Sequence, residues 1–92
     1  MSTVTLRYWA AAKQAAGVAE ETISAETLAA ALEVALSARE RKAAPGTGTD
    51  LRAVLARSSF LVDGTPVGGR APETVALQEA AVVEVLPPFA GG

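Results

Sequence analysis

The chain has 92 residues and a net charge of −2, from 8 Lys and Arg against 10 Asp and Glu. A chain of this length is expected to form one domain with a modest core, and its charge offers no basic surface for nucleic acid. It contains no Cys and no His. A thiol nucleophile, a disulfide, a Cys/His zinc site and a histidine general base are therefore excluded, and with them most self-contained enzyme mechanisms.

The sequence lacks the signals of export or membrane insertion. No apolar run approaches the ~18 residues of a membrane span, and the first residues lead directly into a strand pattern. The simplest prediction is a cytoplasmic protein. Residues 1–92 are predicted to form a single domain, of which residues 87–92 are a flexible C-terminal tail.

Residues 3–9 alternate between two faces, which predicts a half-buried strand. Val4, Leu6 and Tyr8 share the face that is expected to point inward. The opposite side chains are those of Thr5, Arg7 and Trp9.

A short helix and a second strand are predicted next. Residues 10–16 are rich in Ala, a strong helix former, and Gly17 suits the left-handed conformation that ends many helices. Residues 18–23 are predicted to form a strand. The short connection between the two strands predicts an antiparallel pair.

The main amphipathic helix is predicted to follow residue 24. Ser24 is the predicted N-cap, and Glu26 suits the positive end of the helix dipole. Apolar residues then recur at helical spacing, at Leu28, Leu32, Ala35 and Leu36. The last turns carry the cations that the negative end of the dipole favours, namely Arg39, Arg41 and Lys42. Pro45 requires the helix to stop before it.

The rest of the chain is predicted to form short elements. Residues 43–50 are expected to be a surface loop, and residues 51–57 either a short helix or an irregular approach to the next strand. That strand, residues 59–62, ends at the Asp-Gly turn dipeptide at 63–64, which predicts a hairpin. Residues 82–86 are rich in β-branched side chains and predict the final strand.

The order of these elements predicts an α+β fold of the ubiquitin-like, β-grasp type. In this arrangement a mixed sheet carries one main helix packed on one face. The first and last strands are the most apolar, and we expect them to lie side by side at the centre of the sheet.

The most informative segment is the extended end of the chain, residues 86–92. Pro87 keeps Leu86 extended, and the Pro-Pro pair continues as stiff polyproline II. Gly91 and Gly92 then offer a carboxylate with no side chain nearby. Since the chain lacks Cys and His, the carboxylate of Gly92 is the candidate reactive group.

Two apolar side chains are out of phase with the inward faces of their strands. Trp9 shares a face with Thr5 and Arg7, and Leu86 shares one with Glu84. Adjacent central strands would place Trp9 and Leu86 together on the outer surface of the sheet. An exposed apolar patch on a small domain commonly marks a partner site.

Over its whole length the sequence resembles the MoaD/ThiS sulfur-carrier proteins. The segments that carry the resemblance are 4–10, Lys13, Gly17, 62–64 and 82–92. The Pro-Pro-Phe-Ala-Gly-Gly ending is its most specific part and is more similar to MoaD than to ThiS. Residues 78–81, Gln-Glu-Ala-Ala, depart from the acidic, Gly-containing turn that is usual in the family. Because Ala does not readily adopt the positive φ that Gly allows, a different turn geometry is expected there.

The resemblance implies a carrier that other proteins activate. A MoeB-like adenylating enzyme would use ATP to convert the Gly92 carboxylate into an acyl-adenylate, and a sulfur donor would displace AMP to leave a thiocarboxylate. A MoaE-like large subunit of molybdopterin synthase would then receive the sulfur for molybdenum cofactor biosynthesis. The chain itself would bind no cofactor and would have no catalytic site of its own.

The resemblance also implies which residues meet these partners. Pro66, after the hairpin turn, and Phe89, on the tail, join the patch predicted around Trp9. The predicted partner-binding residues are Trp9, Pro66, Leu86, Pro87, Pro88, Phe89 and Ala90, with Gly91 and Gly92 as the reactive end.

Three alternatives stay open. A carrier for thiamine or cysteine biosynthesis would present the same thiocarboxylate to a different acceptor enzyme. A protein modifier would instead join its terminal glycine to a lysine amine. A non-covalent ubiquitin-like binding module would not need the two terminal glycines.

Overall fold

The computed structural model describes residues 2–42 and 49–88. The strands are β1 (Ser2–Tyr8), β2 (Glu20–Ala25), β3 (Ser59–Val62), β4 (Thr65–Pro66) and β5 (Val82–Leu86). The helices are α1 (Ala10–Ala16), α2 (Leu28–Lys42) and α3 (Thr49–Arg57), with a 3-10 turn at Pro72–Thr74. The strands form one sheet in the order β2-β1-β5-β3-β4. The β1–β5 pair is parallel and the other pairs are antiparallel, which confirms the predicted α+β, β-grasp fold.

The core lies between the inner face of the sheet and the helices. The alternation of β1 is confirmed, because Val4, Leu6 and Tyr8 are all buried. The neighbouring central strand, β5, contributes Val83 and Val85. Buried residues from the helices and connections pack against them, namely Ala12, Leu28, Ala31, Ala35, Leu36, Leu51, Leu55, Val67, Val75 and Leu77.

The α1 helix ends as predicted. Gly17 adopts the left-handed conformation with a φ of 83°, and its N–H donates to the carbonyl of Lys13 at 2.9 Å. The following strand begins at Glu20, two residues later than predicted, and pairs antiparallel with β1.

The predicted helix cap at Ser24 is wrong. Ser24 lies in β2 and pairs with Thr3 of β1. Helix α2 is instead capped by Thr27, whose Oγ1 accepts a hydrogen bond from the N–H of Ala30 at 3.1 Å, as an N-cap side chain does. Strand pairing prevails over the local cap because it extends the sheet by two residues and buries Ala25.

The connection after α2 contains a third helix. Helix α2 ends at Lys42, before Pro45, as predicted. Residues 43–48 lie outside the described part of the chain, and the predicted loop is wrong at its end, because α3 already begins at Thr49. Of the two alternatives for residues 51–57, the helix is confirmed. No helix in the described ranges is long and apolar enough to cross a membrane.

The predicted hairpin forms between β3 and β4. Asp63 and Gly64 both have positive φ, 50° and 83°, as a type I′ turn requires. The Asp63 N–H donates to the carbonyl of Val82, and its Oδ1 accepts from the Val82 N–H, both at 2.9 Å. These two bonds attach the hairpin turn to the start of β5.

The reason for expecting an altered turn before β5 is wrong, because Ala does adopt a positive φ there. Ala80 adopts a positive φ of 69°, and the N–H of Ala81 donates to the carbonyl of Gln78 at 3.1 Å, as in a type II turn. Contacts with Thr3 impose this conformation. Its carbonyl accepts from the Ala80 N–H at 2.7 Å, and its own N–H donates to Oε1 of Glu79 at 2.9 Å.

Ala80→Gly is expected to raise the free energy of unfolding by about 1 kcal/mol, because Gly adopts positive φ without the steric cost that Ala bears. Urea unfolding measures the change. Ala71→Gly is the matched control, since Ala71 is exposed and has an ordinary φ of −66°. The control should lower stability slightly, and an equal loss in both variants would contradict strain at Ala80.

Candidate functional site

Strand β5 delivers the C-terminal segment to one end of the sheet. Tyr8 of β1 lies beside Val85 of β5 in a parallel pair, so the two strands end at the same edge. Leu86 is half-buried, Pro87 is buried and Pro88 is exposed. Pro88 is therefore the residue at which the chain emerges from the sheet onto the protein surface.

The predicted reactive end follows this point and lies outside the described residues. The predicted residues concerned are Phe89, Ala90, Gly91 and Gly92. What the structure defines is the surface at the base of the tail.

Trp9 lies at the junction of β1, β5 and α1. Its backbone N–H donates to the carbonyl of Val85 at 3.3 Å, and its carbonyl accepts from the N–H of Ala12 at 2.9 Å. The side chain is 42% exposed. Continuing the register of β1 and β5 by one residue puts Trp9 beside Leu86 on the outer face of the sheet, the face opposite the helices.

Cross-strand pairing brings two further apolar residues to this face. Leu61 of β3 pairs with Pro66 of β4 on one side and with Glu84 of β5 on the other. Pro66 is exposed and Leu61 is half-buried. We call Trp9, Leu61, Pro66 and Leu86 together the outer apolar patch.

Leu61 is the one patch residue that the sequence does not predict. Residues 60–62 are all apolar, so they show no alternation that would assign faces. The two-residue turn at 63–64 is the sequence feature that assigns Leu61 to a face of the sheet. Such a turn pairs the residues around it symmetrically, and this pairing puts Leu61 opposite Pro66.

Charged side chains surround the indole of Trp9. The indole N–H donates to Oε1 of Glu84 at 3.2 Å. The guanidinium of Arg7 lies over the ring, with its Cζ 5.4 Å from the ring centroid. Nε of Arg7 is also 3.8 Å from Oε1 of Glu20. Beyond this cluster, Trp9 and Lys13 line an open groove of about 640 Å³ along α1.

A second polar cluster joins the helices to the sheet. Arg39 forms a 2.8 Å ion pair with Glu21 and donates to the carbonyls of Ala35 and Ala16, each at 3.0 Å. Its guanidinium lies 5.5 Å from the ring of Tyr8, whose hydroxyl donates to Glu21. The interpretation of Arg39 as a simple helix-dipole cation is therefore incomplete, because it links α2 to α1, β1 and β2.

Alkaline pH is expected to destabilise the fold through Tyr8. Burial, followed by the hydrogen bond and the charge of Glu21, raises the pKa of the Tyr8 hydroxyl above its usual value. The unfolded chain releases this proton from about pH 10 while the folded chain retains it, so stability present below that pH is lost as the pH rises. Tyr8→Phe should reduce this loss in urea unfolding measured across the alkaline range.

Phenolate absorbance provides a direct check, because Tyr8 is the only tyrosine in the chain. The folded protein should show little phenolate at a pH where free tyrosine is half ionised. Titration of the folded chain at the ordinary pKa would contradict this prediction.

The described part of the site offers contact surface. Residues 2–42 and 49–88 contain no group of three or more His, Cys, Asp or Glu that could hold a metal ion. Every buried side-chain nitrogen or oxygen in these ranges has a hydrogen-bond partner. Of the outer apolar patch, Trp9 and Leu86 lie at the end of the sheet where Pro87 and Pro88 follow β5, and Leu61 and Pro66 lie beside Glu84.

The fold is that of a ubiquitin-like β-grasp protein. It has a mixed five-stranded sheet with one long helix across its inner face, and a terminal segment leaves its central strand. The chain belongs to the ThiS family, whose sequence model matches residues 6–92. The resemblance to the MoaD/ThiS sulfur-carrier proteins is thereby confirmed.

Solved structures with this fold include small archaeal modifier protein 1 from Methanosarcina acetivorans, at 19% identity and a TM-score of 0.77, covering 100% of this chain and 98% of that chain. The putative molybdopterin converting factor subunit 1 from Pyrococcus furiosus has 22% identity and a TM-score of 0.72. The match covers 97% of this chain and 100% of that chain.

In a complex of subunits 1 and 2 of the molybdopterin-converting factor from Helicobacter pylori, the matching chain has 20% identity and a TM-score of 0.65. The match covers 98% of this chain and 99% of that chain. No curated protein sequence matches the chain significantly. The family match therefore makes the chain a ThiS-family protein, and the solved neighbours share its ubiquitin-like β-grasp fold.

Proposed function

We propose that the chain is a cytoplasmic sulfur carrier that acts as the small subunit of molybdopterin synthase. The observation that carries this proposal is the placement of residues 86–88, at the base of the tail. Central strand β5 ends at Leu86, inside the outer apolar patch, and Pro88 is already exposed. A partner that covers the patch would therefore also contact the chain at Pro88, the residue that precedes the predicted reactive end.

The chemistry of the tail begins with activation. An α-carboxyl group has a pKa of about 3.5, so the Gly92 carboxylate is ionised at neutral pH and is a poor electrophile. In the proposed reaction a carboxylate oxygen attacks the α-phosphorus of ATP on a MoeB-like enzyme, and pyrophosphate leaves. A sulfur donor then attacks the carbonyl carbon of the acyl-adenylate, AMP leaves, and a thiocarboxylate results. Gly91 and Gly92 have no Cβ to obstruct either attack.

The outer apolar patch supplies affinity for the partners. Trp is among the residues that most often dominate binding energy at interfaces, and Trp9 has its neighbours Leu86, Leu61 and Pro66 on the same face. The neighbour from Helicobacter pylori is solved together with its second subunit. That complex supports a MoaE-like large subunit as the acceptor for this chain.

A protein modifier is the second candidate function. It is favoured by the likeness to small archaeal modifier protein 1 from Methanosarcina acetivorans. In this case a lysine amine would attack the acyl-adenylate, AMP would leave, and an isopeptide bond would join Gly92 to the target.

Intact mass spectrometry tests the proposal. The chain is incubated with ATP, a MoeB-like adenylating enzyme and a sulfide source, and we expect a species heavier by the difference between sulfur and oxygen at its C-terminus. A variant that lacks Gly91 and Gly92 is the matched control and should not change in mass. Lysine conjugates in place of the heavier species would favour the modifier, and no change at all would favour a non-covalent binding module.

A second step assigns the pathway. The thiocarboxylated chain and a MoaE-like large subunit are supplied with cyclic pyranopterin monophosphate, and molybdopterin is expected to form. Sulfur transfer only to the acceptor enzymes of thiamine or cysteine biosynthesis would move the carrier to those pathways.

A further inference from the structure

We propose that Arg7 and Glu84 are positioning residues, which hold the indole of Trp9 in the orientation that the adenylating enzyme and the large subunit bind. This inference rests on the proposed function, because it assigns the outer apolar patch to those partners. Arg7 and Glu84 are directly paired on β1 and β5. Both side chains share the outer face with Trp9.

The backbone of Trp9 is already fixed. Its N–H is bonded to Val85 and its carbonyl to Ala12, so the only freedom left to the residue is that of its side chain. A side chain that is free before binding loses rotamer entropy when a partner immobilises it. Contacts that restrict the indole in the free protein reduce that loss.

Glu84 also provides the hydrogen-bond acceptor that the polar indole N–H needs. When Trp is buried in an interface, its N–H needs an acceptor, and leaving a polar group unpaired weakens binding. Oε1 of Glu84 accepts this hydrogen bond at 3.2 Å within the chain itself. The partner therefore needs no hydrogen-bond acceptor of its own for the indole N–H.

Arg7 fixes the ring from one side. Its guanidinium lies over the ring at 5.4 Å, an arrangement in which the cation is attracted to the aromatic face. Glu20, on the opposite neighbouring strand, lies 3.8 Å from Arg7. The charges of Glu20, Arg7 and Glu84 thus form one row across β2, β1 and β5, and the row directs the guanidinium to the ring.

The free protein provides the first test, because Trp9 is the only tryptophan in the chain. Its fluorescence anisotropy decay and its quenching by acrylamide report on this indole alone. Glu84→Ala and Arg7→Ala should make the indole more mobile and more easily quenched. Glu84→Gln keeps an amide oxygen as the acceptor and should behave as the wild type.

Pyrophosphate exchange with a MoeB-like adenylating enzyme provides the second test. For Glu84→Ala we expect the KM for the carrier to rise roughly tenfold, the cost of one unpaired polar group at the interface, with kcat within about twofold. Arg7→Ala should raise KM roughly threefold, as expected for an exposed cation–π contact. Glu84→Gln should restore KM to within about twofold of the wild type.

Glu73→Ala and Arg57→Ala are the control variants, since both residues are exposed and lie away from the outer face. They should change neither fluorescence nor KM. If the wild type supports exchange but KM is unchanged in Glu84→Ala and Arg7→Ala, the positioning role is overturned and the proposed function is not. A fall in kcat with KM unchanged would also overturn it. Absence of exchange on the wild type would overturn the proposed function, and with it the partner that Trp9 is positioned for.

Discussion

Gly92→Val, or a single residue added after Gly92, is expected to abolish adenylation of the chain. A β-branched side chain next to the carboxylate crowds the line of attack, and an added residue moves the carboxylate by about 3.5 Å. Misplacement of a reacting group by about 1 Å can already cost roughly a hundredfold in rate. We therefore expect pyrophosphate exchange to fall by at least about a hundredfold.

The control for this prediction is Gly69→Val. A Cβ added at Gly69 would meet no heavy atom within 4 Å apart from those of its chain neighbours, and the residue has no positive φ. The same chemical change there should therefore leave both the fold and the exchange rate intact. Urea unfolding establishes that each variant is folded. Exchange at the wild-type rate by Gly92→Val would remove the basis for placing the chemistry at this residue.

Arg39→Leu is expected to lower the free energy of unfolding by about 2–3 kcal/mol. The substitution removes charge-assisted hydrogen bonds to Ala16 and Ala35 and leaves Glu21, with only 25% of its side chain exposed, without its cation. Hydrogen bonds to charged groups contribute about 1.5–3 kcal/mol, and a buried group that loses its partner adds a desolvation cost. For a domain with roughly 5–15 kcal/mol of stability this is a large fraction.

Urea unfolding measures this loss, with Arg57→Leu on the exposed end of α3 as the matched control. The control should change stability by less than about 0.5 kcal/mol. Adding Glu21→Gln to Arg39→Leu should recover part of the loss, since it removes the charge that has lost its cation and keeps an oxygen to accept the hydrogen bond of Tyr8. A loss of less than about 0.5 kcal/mol in Arg39→Leu would show that the cluster contributes little.

Sequence patterns predict correctly the elements that depend only on residues close to one another along the chain. The alternation of β1 is visible because that strand has one buried face, and Gly17 is recognisable because it permits the left-handed conformation at the end of α1. The cap of α2 is different. Ser24 and Thr27 both suit an N-cap, and the choice is made by pairing of Ser24 with Thr3, far away in the sequence.

Ala80 shows the same limit more strongly. Its residue type argues against a positive φ, yet hydrogen bonds with Thr3 fix that conformation. Arg39 likewise looks like an ordinary helix-end cation until Glu21 and Tyr8 are brought to it by the sheet. In each case a distant tertiary partner outweighs the local preference.

The candidate site divides in the same way. Trp9 and Leu86 are predictable because each is out of phase with its strand, and the central position of both strands then places them together. The contacts of Trp9 with Glu84 and Arg7 depend on side-chain rotamers. A period-2 pattern assigns a face to each of these residues but does not determine which of them touch.

The position of β5 between two strands has a mechanical consequence. Its backbone bonds to β1 on one side and to β3 on the other, so its amides are expected to exchange with solvent only when the whole domain opens. A force applied to the tail acts along the strand axis and loads both ladders in shear, where the bonds share the strain. A pull on the residues after Leu86 would therefore have to break both ladders at once before β5 could leave the sheet.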